Sequence, residues 1–142
     1  MYFEATNVTD STVTMRLNAA NGGHLDFNYR LLPNSYMVDL TVQASGMQNF
    51  FSPSTKSMNI EWKQRARQME KGYNFEQRYT SLTYKPVDDS FDYLSETKDE
   101  KETIPESLDW VAFKNQYFSC VFMAEQNFDN ATLESKMEQQ GS

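Results

Sequence analysis

One histidine, His24, and one cysteine, Cys120, are the side chains of this chain best suited to catalysis or metal binding. A histidine acts as general base when one group orients it and it activates another. His24 follows Gly23 at the entrance of a strand, and neither kind of partner is identifiable beside it, so it is expected to be a turn histidine. One His and one Cys also make a poor zinc site, which wants four ligands. Cys120 lies in the apolar run YFSCVFM, where a thiol is expected to pack as a small hydrophobe. With no second cysteine it forms no internal disulfide, and it leaves the compartment open.

The acidic residues are the next candidates. Asp88, Asp89, Asp92, Glu96, Asp99, Glu100, Glu102 and Glu106 crowd one segment that is relieved only by Lys98 and Lys101. Carboxylates suit calcium, but the spacing that folds a loop around one ion is missing, so a solvated excursion is expected. Phosphate-binding glycine loops and nucleophile elbows do not occur. Asn7-Val-Thr and Asn130-Ala-Thr match a glycosylation pattern that is common by chance. Lys63, Arg65, Arg67 and Lys71 lie close together, Lys63 just before and the others within QRARQMEK at 64–71, in a chain of formal net charge −7. They form a candidate interaction patch, or simply a solvated face. No metal or other cofactor is expected, and the acidic balance argues against nucleic acid as a partner.

Period-two patterning dominates the first part of the chain. STVTMRLN places Val13, Met15 and Leu17 on one face, and HLDFNYRL does the same with Leu25, Phe27, Tyr29 and Leu31. Asn21, Gly22 and Gly23 supply the turn between them. After Pro33, Asn34 and Ser35, the segment YMVDLTVQA is expected to bury Tyr36, Val38, Leu40 and Val42, completing an antiparallel meander. SMNIEWK at 57–63 alternates in the same way, predicting a further strand with Met58, Ile60 and Trp62 inward. Residues 64–71 are rich in helix formers and end at Gly72, which predicts one short helix. RYTSLTYK returns to strand, FDYLS is a short strand, and TKDEKE at 97–102 an exposed turn. The tail is expected to fray over 134–142.

The segment LDWVAFKNQYFSCVFM at 108–123 is apolar on alternate residues in both directions. Leu108, Trp110 and Ala112 point one way and Val111 and Phe113 the other, and the pattern resumes through Tyr117, Phe118, Val121 and Phe122. Such a strand is expected between two packed layers. The chain of 142 residues, 14% of them aromatic, fits one domain over 1–142: mainly β, an antiparallel β-sandwich with one short helix. No apolar run reaches the roughly 18 residues that a spanning helix needs. Met1 opens directly on strand-like sequence without a signal peptide, which suggests a piece of a longer protein.

The W-V-A followed by Q-x-Y-F arrangement at Trp110, Gln116, Tyr117 and Phe118 closely resembles a signature of the periplasmic domain of YidC-type membrane protein insertases, in a Bacteroidetes-like form. YFEATNVTDSTVTMRLNAANGGHLDFNYRL and NSYMVDLTVQA fit the strands that precede it in that family. The resemblance implies a fold, a β-supersandwich of which this chain is the central to C-terminal part. It implies a function too: a non-catalytic domain on the periplasmic side of the bacterial inner membrane, in an insertase and chaperone that acts alone or with the Sec translocon. Partners would be Sec components and nascent membrane proteins, with the membrane reached through transmembrane segments outside this chain. The four signature residues are expected to be structural. The rival expectation is a carbohydrate-binding β-sandwich module, which would present exposed aromatics such as Tyr73 or Tyr93.

Overall fold

The computed structural model describes residues 2–52, 54–67, 71–72 and 76–137. These form antiparallel sheets in two compact units, Met1–Ile60 and Glu61–Ser142. The first unit is one four-stranded meander of β1 (Phe3–Thr6), β2 (Thr12–Asn18), β3 (His24–Leu31) and β4 (Val38–Ser45), hydrogen-bonded in chain order. Its alternation holds in register from strand to strand. Phe3, Leu17, Leu25 and Ala44 form one cross-strand row; Ala5, Met15, Phe27 and Val42 form the next. Val13, Tyr29 and Leu40 form a third row, and Leu31 faces Val38. The polar residues between them share the opposite face.

Local chemistry sets the turns. Gly22 takes a positive φ of 84°, and Asn21 Oδ1 accepts the Gly23 amide at 2.9 Å. Gly23 is needed for close approach, not for a left-handed backbone: a Cβ there would sit 2.4 Å from the Gly46 carbonyl oxygen. Asn34 adopts φ 53°, and Ser35 Oγ accepts the Met37 amide at 3.0 Å. Tyr36 is therefore in the turn and exposed, and Val38, Leu40 and Val42 share the expected face but are exposed as well. The alternation predicted which side they would occupy, while the burial expected of that side is not found.

The second unit carries β5 (Ser81–Pro86), β6 (Asp92–Tyr93), β7 (Glu100–Ile104), β8 (Leu108–Lys114), β9 (Ser119–Phe128) and β10 (Ala131–Ser135). One sheet runs β6-β5-β8-β9 and a second pairs β10 with β7. Leu82 and Tyr84 from the first sheet meet Ile104 and Leu133 from the second, with Leu94 and Leu108 sealed among them. Two small antiparallel sheets thus close over one core, a sandwich in miniature.

The segment 108–123 is two strands, not one. Asn115 breaks it: its Oδ1 accepts the Tyr117 and Phe118 amides at 2.9 and 2.7 Å, and its own amide donates to the Phe118 carbonyl at 2.8 Å. Such side-chain capping is what makes Asn a turn former. Tyr117 and Phe118 consequently project from a hairpin turn, 54% and 72% exposed, instead of lying between layers. β9 ends its sheet, so Cys120 and Val121 are exposed too. Against β5, a register shift makes Asp109 an extra residue between Leu108 and Trp110, opposite Lys85 and Pro86. That bulge resets the alternation, so Leu108 enters the core with Val111 and Phe113 while Trp110 and Ala112 face the other way.

No strand forms at 57–63: the segment is irregular, and Met58 and Ile60 are exposed. Alternation without a neighbouring strand to pair with leaves the backbone unladdered. Trp62 nonetheless turns inward, edge-on to Phe113 at 4.5 Å and Phe122 at 5.4 Å. Residues 64–67 are not helical, and 68–70 of the expected helix lie outside the described residues. Part of the expected turn at 97–102 is strand β7. Alternation makes this possible despite the charge, because Ile104 is buried while Lys101 and Thr103 point away from it. Partner strand β10 continues through Ser135, and the Met137 amide donates to Asp99 Oδ1 at 2.8 Å. Of the tail expected to fray over 134–142, residues 138–142 lie outside the described residues.

Candidate functional site

The polar face of the β1–β4 sheet gathers the functional groups of the first unit. Thr14 donates to Asn28 Oδ1 at 2.7 Å, and Asn28 Nδ2 donates to Gln43 Oε1 at 3.4 Å, a line running across three strands. Arg16 clamps Asp26 with two bonds of 2.7 Å from Nε and Nη2, and Arg30 Nη2 reaches Asp39 at 2.8 Å. Asn7, Thr12, Thr14, Asn28, Arg30 and Asp39 help line an open groove of about 470 Å³ on this face. Thr14 with Asn28 and Arg16 with Asp26 join residues equidistant from Asn21, and Arg30 with Asp39 join residues equidistant from the Asn34-Ser35 turn, a signal present in the sequence once each hairpin is centred.

His24 stands at the end of this face, its Nε2 3.6 Å from Asp26 Oδ2. Both Asp26 oxygens are taken by Arg16, so the carboxylate is a salt-bridge partner and not a group free to orient an imidazole. The guanidinium hydrogen bonds hold Asp26 below its ordinary 3.8, with the Arg16 and His24 charges adding to them and partial burial opposing. The sign of the linkage follows. A carboxylate depressed in the folded state stabilises above its unfolded value, and that stability is lost as pH falls through the folded value. A carbon-detected NMR titration is expected to place the Asp26 midpoint below 3.8, and Asp26→Asn is expected to flatten the loss of stability on acidification below that pH. A midpoint at or above 3.8 would refute the clamp.

The acidic segment spends its carboxylates locally. Asp89 and Asp92 accept the amides of Ser90 and Tyr93 at 2.7 Å, Glu100 accepts the Ser95 amide, and Glu102 Oε2 accepts the Tyr84 hydroxyl at 3.2 Å. The Ser95 amide and then Lys98 hold Glu100 below its usual range, against partial burial. Among the described residues no group of three or more His, Cys, Asp or Glu converges in a metal-binding arrangement.

The signature residues are not brought together in the core. Trp110 is half-buried on β8, in register with Lys85 of β5 and Met123 of β9, and Gln116, Tyr117 and Phe118 belong to the β8–β9 turn. Gln116 Oε1 is buried there with no hydrogen-bond partner among the described residues. Lys63, Arg65, Arg67 and Lys71 are all exposed, and Lys63 pairs with Glu61 at 2.9 Å. Tyr93 is exposed on β6, whereas Tyr73 lies outside the described residues. No helix among the described residues is long and apolar enough to cross a membrane.

Comparison with known proteins bears on the whole chain. A family model described as the YidC periplasmic domain matches residues 2–142. A membrane protein insertase YidC of Phocaeicola vulgatus is 63% identical over 142 residues, which is 100% of this chain and 23% of that protein. The Bacteroides fragilis protein of the same name is 52% identical over 141 residues, 99% of this chain and 23% of its own. That of Porphyromonas gingivalis is 40% identical over 143 residues, again 23% of its length. The chain therefore spans about a quarter of the length of the curated relatives it matches. No solved structure matches it.

Proposed function

This chain belongs to the YidC periplasmic domain family, and on that premise we propose that it is a non-catalytic domain of a bacterial inner-membrane insertase, held on the periplasmic side. Its role is to offer surface to the Sec translocon or to membrane proteins as they emerge. The observation that carries the reading is the match over all 142 residues of this chain, at 63% identity, to a protein named membrane protein insertase YidC. The side chains agree with it: His24 and Asp26 are engaged in a structural ion-pair cluster, and the acidic groups cap local backbone. Trp110, Gln116, Tyr117 and Phe118 serve the fold in this reading, the first by packing on β8 and the others by shaping the turn that follows it. Insertase chemistry belongs to parts of the parent protein beyond this chain.

The docking segment is the basic stretch Lys63, Arg65, Arg67 and Lys71, whose exposed cations stand out in an acidic chain. A photoreactive residue at Gln64, exposed between Lys63 and Arg65, tests this in cells that make the full-length protein. Adducts with a Sec component or an emerging membrane protein are expected. Adducts with neither, together with glycan binding that Tyr93→Ala abolishes, would replace the reading with the carbohydrate-binding one.

A further inference from the structure

Carboxylates are spread unevenly over the second unit. The chain carries 20 Asp and Glu, yet none falls among the residues at 110–124, whose only charge is Lys114. In the sheet β6-β5-β8-β9 this stretch forms one edge, while β6 at the other edge brings Asp92, with Asp88 and Asp89 in the turn before it. The acid-free edge is also where apolar side chains stand in the open. Trp110, Ala112 and Lys114, on the side of β8 turned away from the core, pair with Met123, Val121 and Ser119 of β9. Val121 and Met123 are exposed, and the hairpin ends in Tyr117 and Phe118, which are exposed further still.

We propose, resting on the inner-membrane tether of the reading above, that the β8–β9 hairpin is a lipid-contact element: Tyr117 and Phe118 enter the boundary between headgroups and acyl chains, and Lys114 meets the lipid phosphates.

Composition selects a bilayer as the occupant. Aromatic rings concentrate at the membrane–water interface, where an apolar body meets a polar tip such as the tyrosine hydroxyl. A lysine beside them lays its stem along apolar surface and holds its ammonium at phosphate level. Charge selects the edge: an anionic leaflet repels the carboxylates near β6 and leaves the β8–β9 edge unopposed. The turn itself suits entry into lipid, where an unsatisfied backbone group is costly. Asn115 already accepts the Tyr117 and Phe118 amides, and its own amide donates to the Phe118 carbonyl. Two rings alone would hold a free domain weakly, since even a whole myristoyl chain binds with only about 10⁴ M⁻¹. A tethered domain is present at an effective concentration of about millimolar, at which weak contacts are populated.

The test uses full-length protein in nanodiscs of phosphatidylethanolamine and phosphatidylglycerol. A fluorescent amino acid is placed at Ser119, exposed next to both rings, or at Lys101, exposed on β7 of the other sheet. Nitroxide-labelled lipid in the discs quenches a probe that reaches the interface. Emission from position 119 should be roughly halved, as for a probe about 5–10 Å into the headgroup boundary, and that from position 101 should be unchanged. Phe118→Asp, in an exposed turn, should abolish the quenching at 119, and Phe118→Trp should keep it. Equal quenching at 119 and 101, none at 119, quenching that survives Phe118→Asp, or quenching lost with Phe118→Trp would overturn the proposal. Protein that does not enter nanodiscs would overturn the tether and this contact together, whereas an unquenched probe at 119 in protein that has entered overturns the contact alone. Translocon adducts from Gln64 bear on neither result.

Discussion

Leu108→Ala is expected to lower folding stability by about 2–5 kcal/mol, the range for emptying a fully buried leucine site. Leu108 has no exposed surface and stands where the two sheets of the second unit meet, among Leu82, Tyr84, Ile104 and Leu133. Collapse around the missing atoms is resisted on both sides. The bulge at Asp109 fixes the backbone against β5, and Leu94 is anchored by its amide to the Leu82 carbonyl at 2.9 Å. Val121→Ala, on exposed β9, supplies the contrast and should cost less than about 1 kcal/mol. The two variants can be compared by urea unfolding followed by tryptophan fluorescence, since Trp62 packs on Phe113 and Phe122 in the same unit. A Leu108→Ala loss no larger than that of Val121→Ala would mean that the core lies elsewhere.

Much of the first unit is legible in the sequence, and the reason is physical. Each strand there has one wet face, so alternation in a single segment identifies the face, and Asn21-Gly22-Gly23 fixes the register of its neighbour. What alternation could not supply was burial: Val38, Leu40 and Val42 are on the right side, yet exposed. Cover is a property of whatever lies opposite. In the second unit the period itself misled. A sixteen-residue segment rich in apolar side chains conceals a turn cued only by the polar interruption Lys114-Asn115-Gln116, and a bulge at Asp109 whose effect is to put Leu108 and Val111 on one face. Bulges shift the alternation by one residue and leave composition unchanged. The strand β7 was hidden by its charge, because EKETI offers only Ile104 to the core and depends on Leu133 and Ala131 of a distant strand. The family was legible through Trp110 and the Gln116-Tyr117-Phe118 group, although the structure places these residues on a strand face and in a turn instead of in the core.

Tyr84 gives the second large effect, and it appears on the alkaline side. Burial first, then the charge and hydrogen bond of Glu102, with Asp92 and Glu106 adding to them, push its phenol from 10.0 up to about 12. An unfolded chain releases this proton near pH 10, while the folded protein keeps it until about pH 12. Between those limits the folded state holds a proton that the unfolded state has lost, so stability falls as pH rises. The contribution is intact below pH 10, and up to about 3 kcal/mol of it disappears by pH 12. Tyr84→Phe has nothing to ionise. At pH 8 it should be less stable than the parent by about 0.5–1.5 kcal/mol for the lost hydrogen bond, a modest cost because exposed Glu102 can take water instead. Above pH 11 the order should reverse, because only the parent must keep an uncharged phenol wedged between its two sheets. Urea unfolding of both proteins from pH 8 to 12 reads the crossing directly. Parallel curves would show that Tyr84 ionises without opening the core, and the bond to Glu102 would then be a surface contact instead of a tie between the sheets.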